Sequence, residues 1–187
     1  MSQLDEILLH NQKFVADRTY KNFTTDKYPD RHLAVLGCMD TRLTELLPQA
    51  MGLKNGDVKL IKNAGATITH PWGSAMRSLL IGVYQLQVNE IIVVGHHDCG
   101  MLGMNAQQFL SAARNHGVPQ ERIDFLHHAG VNWDSWLRGF DCVEESVRST
   151  VNVIRNHPLM PQTVPVHGLV IHPETGKLEV VVRDEKA

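Results

Sequence analysis

Two short segments of the chain carry side chains that could do chemistry together. Gly37-Cys38-Met39-Asp40-Thr41-Arg42 supplies a thiol, a carboxylate and a guanidinium. Gly95-His96-His97-Asp98-Cys99-Gly100 supplies an imidazole and a second thiol. Cys38, His96 and Cys99 together make a soft donor set of two thiolates and one imidazole, which suits Zn²⁺. The two-residue gap between His96 and Cys99 lets one loop provide two ligands, while Cys38 closes the site from a distant segment. That long separation is unlike a zinc finger, in which compact knuckles hold the metal. A triad of protein ligands with a variable fourth position marks a catalytic zinc site.

Each of these residues also has a plainer reading. Cys38 alone would be a small buried hydrophobe, but Asp40, Arg42 and the distant His-x-x-Cys favour a ligand. His97 lacks the two-residue gap to Cys99 and reads as structural or solvent-facing, with a proton carrier as the sharper alternative. Asp98 reads as a turn residue or a neighbour of the ligands, and Cys142 as a free structural thiol. His116, His127 and His128 read as surface residues; His70 lines the approach to the site or sits in an ordinary loop. Trp72, Trp133 and Trp136 read as core or dimer contacts.

The segments must be positioned by secondary structure. His32–Gly37, Val58–Ile61, Glu90–Gly95 and Val164–Ile171 are β-branched apolar runs without strict alternation, as expected of parallel strands buried on both faces. A fifth run, Leu178–Val182, follows a connection short enough to allow only an antiparallel hairpin. Helical stripes fall near the N-terminus (Leu4, Ile7, Leu8, Phe14), between Ser74 and Leu86, and after Asp141, a candidate N-cap (Val143, Val147, Val151, Ile154). Residues 115–134 read as an irregular polar excursion with short helices. Strands alternating with helices give an α/β fold with a mainly parallel central sheet flanked by helices and a C-terminal antiparallel strand. Both chemical segments then lie at strand carboxyl ends, where open α/β sheets gather their ligands.

Composition bounds the rest. The 187 residues carry 18 basic and 20 acidic side chains, a net charge of −2, which offers no field for nucleic acid or an anionic membrane. A 43% hydrophobic, 20% charged chain is globular, and its length suits one domain over residues 1–187, with residues 1–30 as an N-terminal helical arm. Three widely spaced cysteines argue for a reducing compartment, and no apolar run is long enough to span a bilayer. Asp5 and Glu6 stand where a signal peptide would be positive, so a cytoplasmic protein is expected. Cys38 and Arg42 are too close for a Cys-x₅-Arg phosphatase loop, and no glycine-rich nucleotide fingerprint follows a strand.

Cys38-Met-Asp40-Thr-Arg42 after the first strand and His96-His-Asp-Cys99 after the third resemble the paired motifs of the β-class carbonic anhydrases. Lys62-Asn63-Ala64-Gly65 is similar to that family's loop at the site, and Cys99-Gly100-Met101-Leu102 looks like its short bacterial and archaeal branch. The resemblance is strong over residues 33–103. It implies one Zn²⁺ per chain on Cys38, His96 and Cys99, an Asp40–Arg42 dyad beside it with Asp40 as a possible fourth ligand in a closed state, and a homodimer or a multiple of one. The implied reaction is reversible hydration of CO₂ to bicarbonate and a proton by attack of zinc-bound hydroxide. Charge supports the dyad independently: Arg42, permanently cationic, can hold Asp40 away by a bidentate pair and leave the fourth position to water. Two other readings fit the ligands: a non-catalytic zinc-binding homodimer, which leaves Asp40–Arg42 unexplained, and hydrolysis of a related cumulated molecule such as CS₂.

Overall fold

Leu33–Cys38 (β1) has no polar side chain to show water, and all 6 of its residues are buried. It is an interior strand of the sheet, in a computed structural model that describes residues 1–185. Val58–Asn63 (β2), β1, Glu90–His96 (β3), Val166–Ile171 (β4) and Leu178–Val182 (β5) lie in the order β2-β1-β3-β4-β5. The first four are mutually parallel, and β5 returns antiparallel to β4. The chain leaves β1 for β2 on one side and comes back across it to β3 on the other. The strand order therefore reverses between β1 and β3, which opens a crevice at their carboxyl ends.

The alternation of side chains along β1 feeds two cores. Ala34 and Leu36 pack with Ile91 and Val93 beneath Ser74–Gln85 (α3) and Val143–Arg155 (α7), while Leu33 and Val35 pack with Val94 and Ile171 beneath Leu43–Ala50 (α2). Helix α7 lies close because two strand positions carry no side chain. A Cβ on Gly95 would come within 2.8 Å of Val143 and Val147, and one on Gly168 within 2.6 Å of Val147.

Two elements differ from expectation, each for a local reason. Strand β4 starts at Val166 rather than Val164, since Pro165 has no N–H for the ladder. The N-cap of α7 is Cys142, not Asp141, and its side chain does not cap; the thiol donates to Glu144 Oε2 at 3.1 Å. The polar excursion holds the short helices expected of it, Gln120–His128 (α5) and Trp133–Trp136 (α6), preceded by Ala106–Asn115 (α4). Trp72 and Trp136 are not core residues: they are 65% and 63% exposed. Gln3–Ala16 (α1), closed by a Ser2–Asp5 capping box, buries none of its residues. Among the described residues, no helix is long and apolar enough to cross a membrane.

Candidate metal centre

Strand ends build the site. Cys38 is the last residue of β1 and His96 the last of β3, and the tight turn after β3 returns Cys99 beneath them. Their ligand atoms all lie within 4.8 Å of one another, and all three residues are buried. The two Sγ atoms are 3.9 Å apart. The turn is made by Asp98 in a left-handed conformation (φ 54°), which Asp tolerates better than most residues.

The His96 ring has a defined role. Its Nδ1 lies 2.8 Å from the His97 carbonyl, an oxygen that can only accept, so Nδ1 carries the proton. In the neutral ring Nε2 is then a lone pair aimed at the thiols, buried and without a hydrogen-bond partner. Asp40 Oδ2 faces it from 3.8 Å. Such a convergence of sulfur, imidazole nitrogen and carboxylate oxygen is electron-rich on every side. A soft divalent cation answers it.

Electrostatics without a metal tell the same story. The Cys99 thiol donates to Cys38 and, against the cost of burial, pulls the Cys38 pKa down to about 4, helped by His96 and by the backbone N–H groups of Asp40 and Gly65. The same bond, together with burial, pushes Cys99 up. Burial opposes a proton on His96, but the Cys38 thiolate and then Asp40 raise its pKa above the ordinary value.

Arg42 fixes the carboxylate. Its Nε and Nη2 donate to Asp40 Oδ1 and Oδ2 at 3.0 and 2.8 Å, and its backbone N–H adds a bond to Oδ1 at 2.9 Å. These bonds hold the Asp40 carboxyl down at about 2. Arg42 also reaches across to the other loop, donating from Nη1 to Asp98 Oδ2 at 2.8 Å and from Nη2 to the Asp98 carbonyl at 2.9 Å. The Lys62–Gly65 loop contributes backbone rather than side chain. Gly65 N–H points at Cys38 Sγ from 3.4 Å, and the loop is tied by Asn63 bonding both N–H and C=O of Thr67. Gly65 has φ 79°, and a Cβ there would press Met101 and Phe140 at 3.1 Å.

The sequence-expected residues Cys38, Asp40, Arg42, His96 and Cys99 thus converge on one spot. His97 lies outside the ligand triangle with its ring 6.1 Å from that of His172. His70 accepts the Trp72 N–H in an exposed turn, and His116, His127 and His128 are exposed. What sequence reasoning missed is the Arg42–Asp98 pair: Asp98 was visible as a turn residue, but no spacing rule links positions on different strands.

The family model described as carbonic anhydrase matches residues 33–178. The crystal structure of β-carbonic anhydrase isoform I from Trichomonas vaginalis superposes with a TM-score of 0.86 at 34% identity, covering 98% of this chain and 99% of that one. The chain belongs to the β-carbonic anhydrase family. "Putative carbonic anhydrase YvdA" of Bacillus subtilis strain 168 is 57% identical over 182 residues, 97% of this chain and 92% of that protein. A carbon disulfide hydrolase of Acidithiobacillus thiooxidans is 30% identical over 178 residues, 89% of this chain and 80% of that protein. The β-carbonic anhydrase fold is therefore shared with an enzyme named for another cumulated substrate.

Proposed function

We propose that this chain is a zinc enzyme that interconverts carbon dioxide and bicarbonate, with Cys38, His96 and Cys99 as the metal ligands and Asp40–Arg42 as the working dyad. The donor set and the orphaned His96 Nε2 fit that metal. Zinc at this position would acidify a water molecule and so supply a nucleophile near neutral pH. The observation that carries the reading is the placement of Asp40: a carboxylate 3.8 Å from His96 Nε2, restrained by Arg42 through both of its oxygens.

The residues divide the work simply. Asp40, kept ionised by Arg42, accepts a hydrogen bond from the attacking water and turns its lone pair toward the carbon of CO₂. Arg42 keeps that carboxylate from swinging onto the metal's fourth position, where it would compete with water. A metal that only braced the fold would need no such dyad. The exposed apolar side of α1 (Leu4, Ile7, Leu8) is proposed as a contact in a homodimer, and the free cysteines suit a reducing, cytoplasmic setting.

Stopped-flow CO₂ hydration by zinc-loaded protein tests the reading, with Asp40→Asn and Cys38→Ala alongside. The expected result is activity that both substitutions abolish or cut sharply. One zinc per chain with no hydration at any pH would hand the site to structural zinc. The similarity to carbon disulfide hydrolase makes CS₂ the second substrate to assay; turnover of CS₂ without CO₂ hydration would replace the substrate and keep the site.

A further inference from the structure

Asp98 is an exposed acid between two candidate ligands, yet its geometry is costly and specific. It holds φ at 54°, and both its side chain and its carbonyl are spent on one partner, the Arg42 guanidinium. Arg42 is thereby fully engaged. Nε and Nη2 face Asp40, while Nη1 and Nη2 face Asp98, so the planar fork lies as a strut between the loop after β1 and the loop after β3. One loop carries Cys38 and Asp40 and the other carries His96 and Cys99. We infer that Asp98 is a positioning residue that anchors Arg42 and so keeps Asp40 off the metal.

The inference rests on the proposed metal site and extends it to a residue outside the motif Cys-x-Asp-x-Arg. A guanidinium tied only to Asp40 would travel with that carboxylate whenever it moved toward His96. Tied also to Asp98, it cannot follow without breaking two bonds to the opposite loop. The anchor therefore resists the closed arrangement, in which Asp40 takes the fourth metal position. Because the Asp98 side chain is 83% exposed, its contribution is bounded by solvent screening, and the effect of removing it is a several-fold shift rather than loss of the site.

The test uses full-length protein reconstituted with cobalt(II) in place of zinc, and azide as an exogenous ligand for the fourth position. Azide affinity is read from the visible cobalt spectrum at a fixed pH. It falls when Asp40 occupies the position. Asp98→Asn keeps the left-handed preference and an acceptor oxygen but removes the charge; Asp98→Gly removes the side chain and still accepts the positive φ. The expected result is azide binding weakened about two- to five-fold in Asp98→Asn and at least as much in Asp98→Gly. Combining either with Asp40→Asn should abolish that difference, because no carboxylate remains to close the site. A merely structural role for Asp98 would not depend on Asp40. Unchanged azide affinity in both single variants, with the thiolate-to-cobalt absorption intact, overturns the anchor alone. Absence of that absorption in the parent protein overturns the metal reading and the anchor with it.

Discussion

The Sγ atoms of Cys38 and Cys99 lie 3.9 Å apart although 61 positions separate them in the chain. Without metal the pair holds one proton between them: Cys38 is drawn down to about 4 and Cys99 is pushed up. The bond thus favours the thiolate at Cys38 and the thiol at Cys99 in the metal-free protein. Thiolates are the alkylating species. Iodoacetamide at pH 6, followed by peptide mass spectrometry, should modify exposed Cys142 in all samples, then Cys38 before Cys99 in chelator-stripped protein. Zinc should protect both site cysteines. Modification of Cys99 ahead of Cys38 would contradict the assigned direction of the bond.

Loss of a ligand should cost more than loss of a group that merely orients one, for which 10- to 100-fold in affinity is usual. Cys38→Ala is expected to weaken zinc binding by more than about 100-fold in competition with a chromophoric chelator. Parent protein with zinc at about 1,000 times its Kd should gain about 4 kcal/mol, or on the order of 10 °C in Tm. Cys38→Ala should gain far less. Full zinc retention by this variant would remove Cys38 from the ligand set.

Arg42 holds the Asp40 carboxyl at about 2, so Asp40 stays ionised across the whole working range. Its ion pair stabilises the fold above the ordinary carboxyl pKa of about 4, and that contribution is lost as pH falls through about 2. A rise in hydration rate between pH 6 and 9 then reports the water nucleophile competing with Asp40, not titration of Asp40 itself. Arg42→Ala should free the carboxylate to compete better. The expected outcome is a rise displaced upward by about one pH unit, equivalent to roughly 1.4 kcal/mol, and a lower rate at pH 7. A flat profile in the parent protein would count against competition between Asp40 and water.

The strands were legible because buried parallel strands leave continuous apolar runs, and α3 and α7 because their stripes keep a helical period. The meeting of Cys38, His96 and Cys99 was expected from spacing and donor chemistry, and their donor atoms do converge. Helix α2 was not read: Pro48 stands inside it as a breaker, while Leu43 and Leu47, one turn apart, are buried against the sheet. The shift of the α7 N-cap to Cys142 had no sequence signal, since Cys142 does not cap with its side chain. Arg42–Asp98 stayed hidden because it joins loops of two strands, and linear spacing carries no record of such a meeting.

Helix α1 places Leu4, Ile7, Leu8 and Leu9 in solvent at 51–62% exposure and buries nothing. Helices of this length are marginal in water without a packed face. A second copy of the chain is the proposed cover. Ile7→Glu with Leu8→Glu should move the protein from dimer to monomer in light scattering after size exclusion, with circular dichroism showing the rest of the fold kept. An unchanged mass would take α1 out of the interface.

Gly95 precedes His96 and faces α7 across a close approach of helix and strand. A Cβ at Gly95 would sit 2.8 Å from Cγ2 of both Val143 and Val147, inside any tolerable contact. Val147 is almost fully buried and cannot turn away, so Gly95→Ala must push α7 outward or bend β3. Overpacking of this kind costs about 1–3 kcal/mol, which is roughly 2–12 °C of Tm for a chain of this size. The strain falls on the residue before a ligand, so zinc affinity should drop with stability. Gly95→Ala combined with Val147→Ala and Val143→Ala makes room for the methyl. Zinc affinity should then recover even though the cavities lower Tm, separating misplacement of His96 from general loss of stability. Affinity that fails to recover in the combined variant would show that α7 does not set the position of His96.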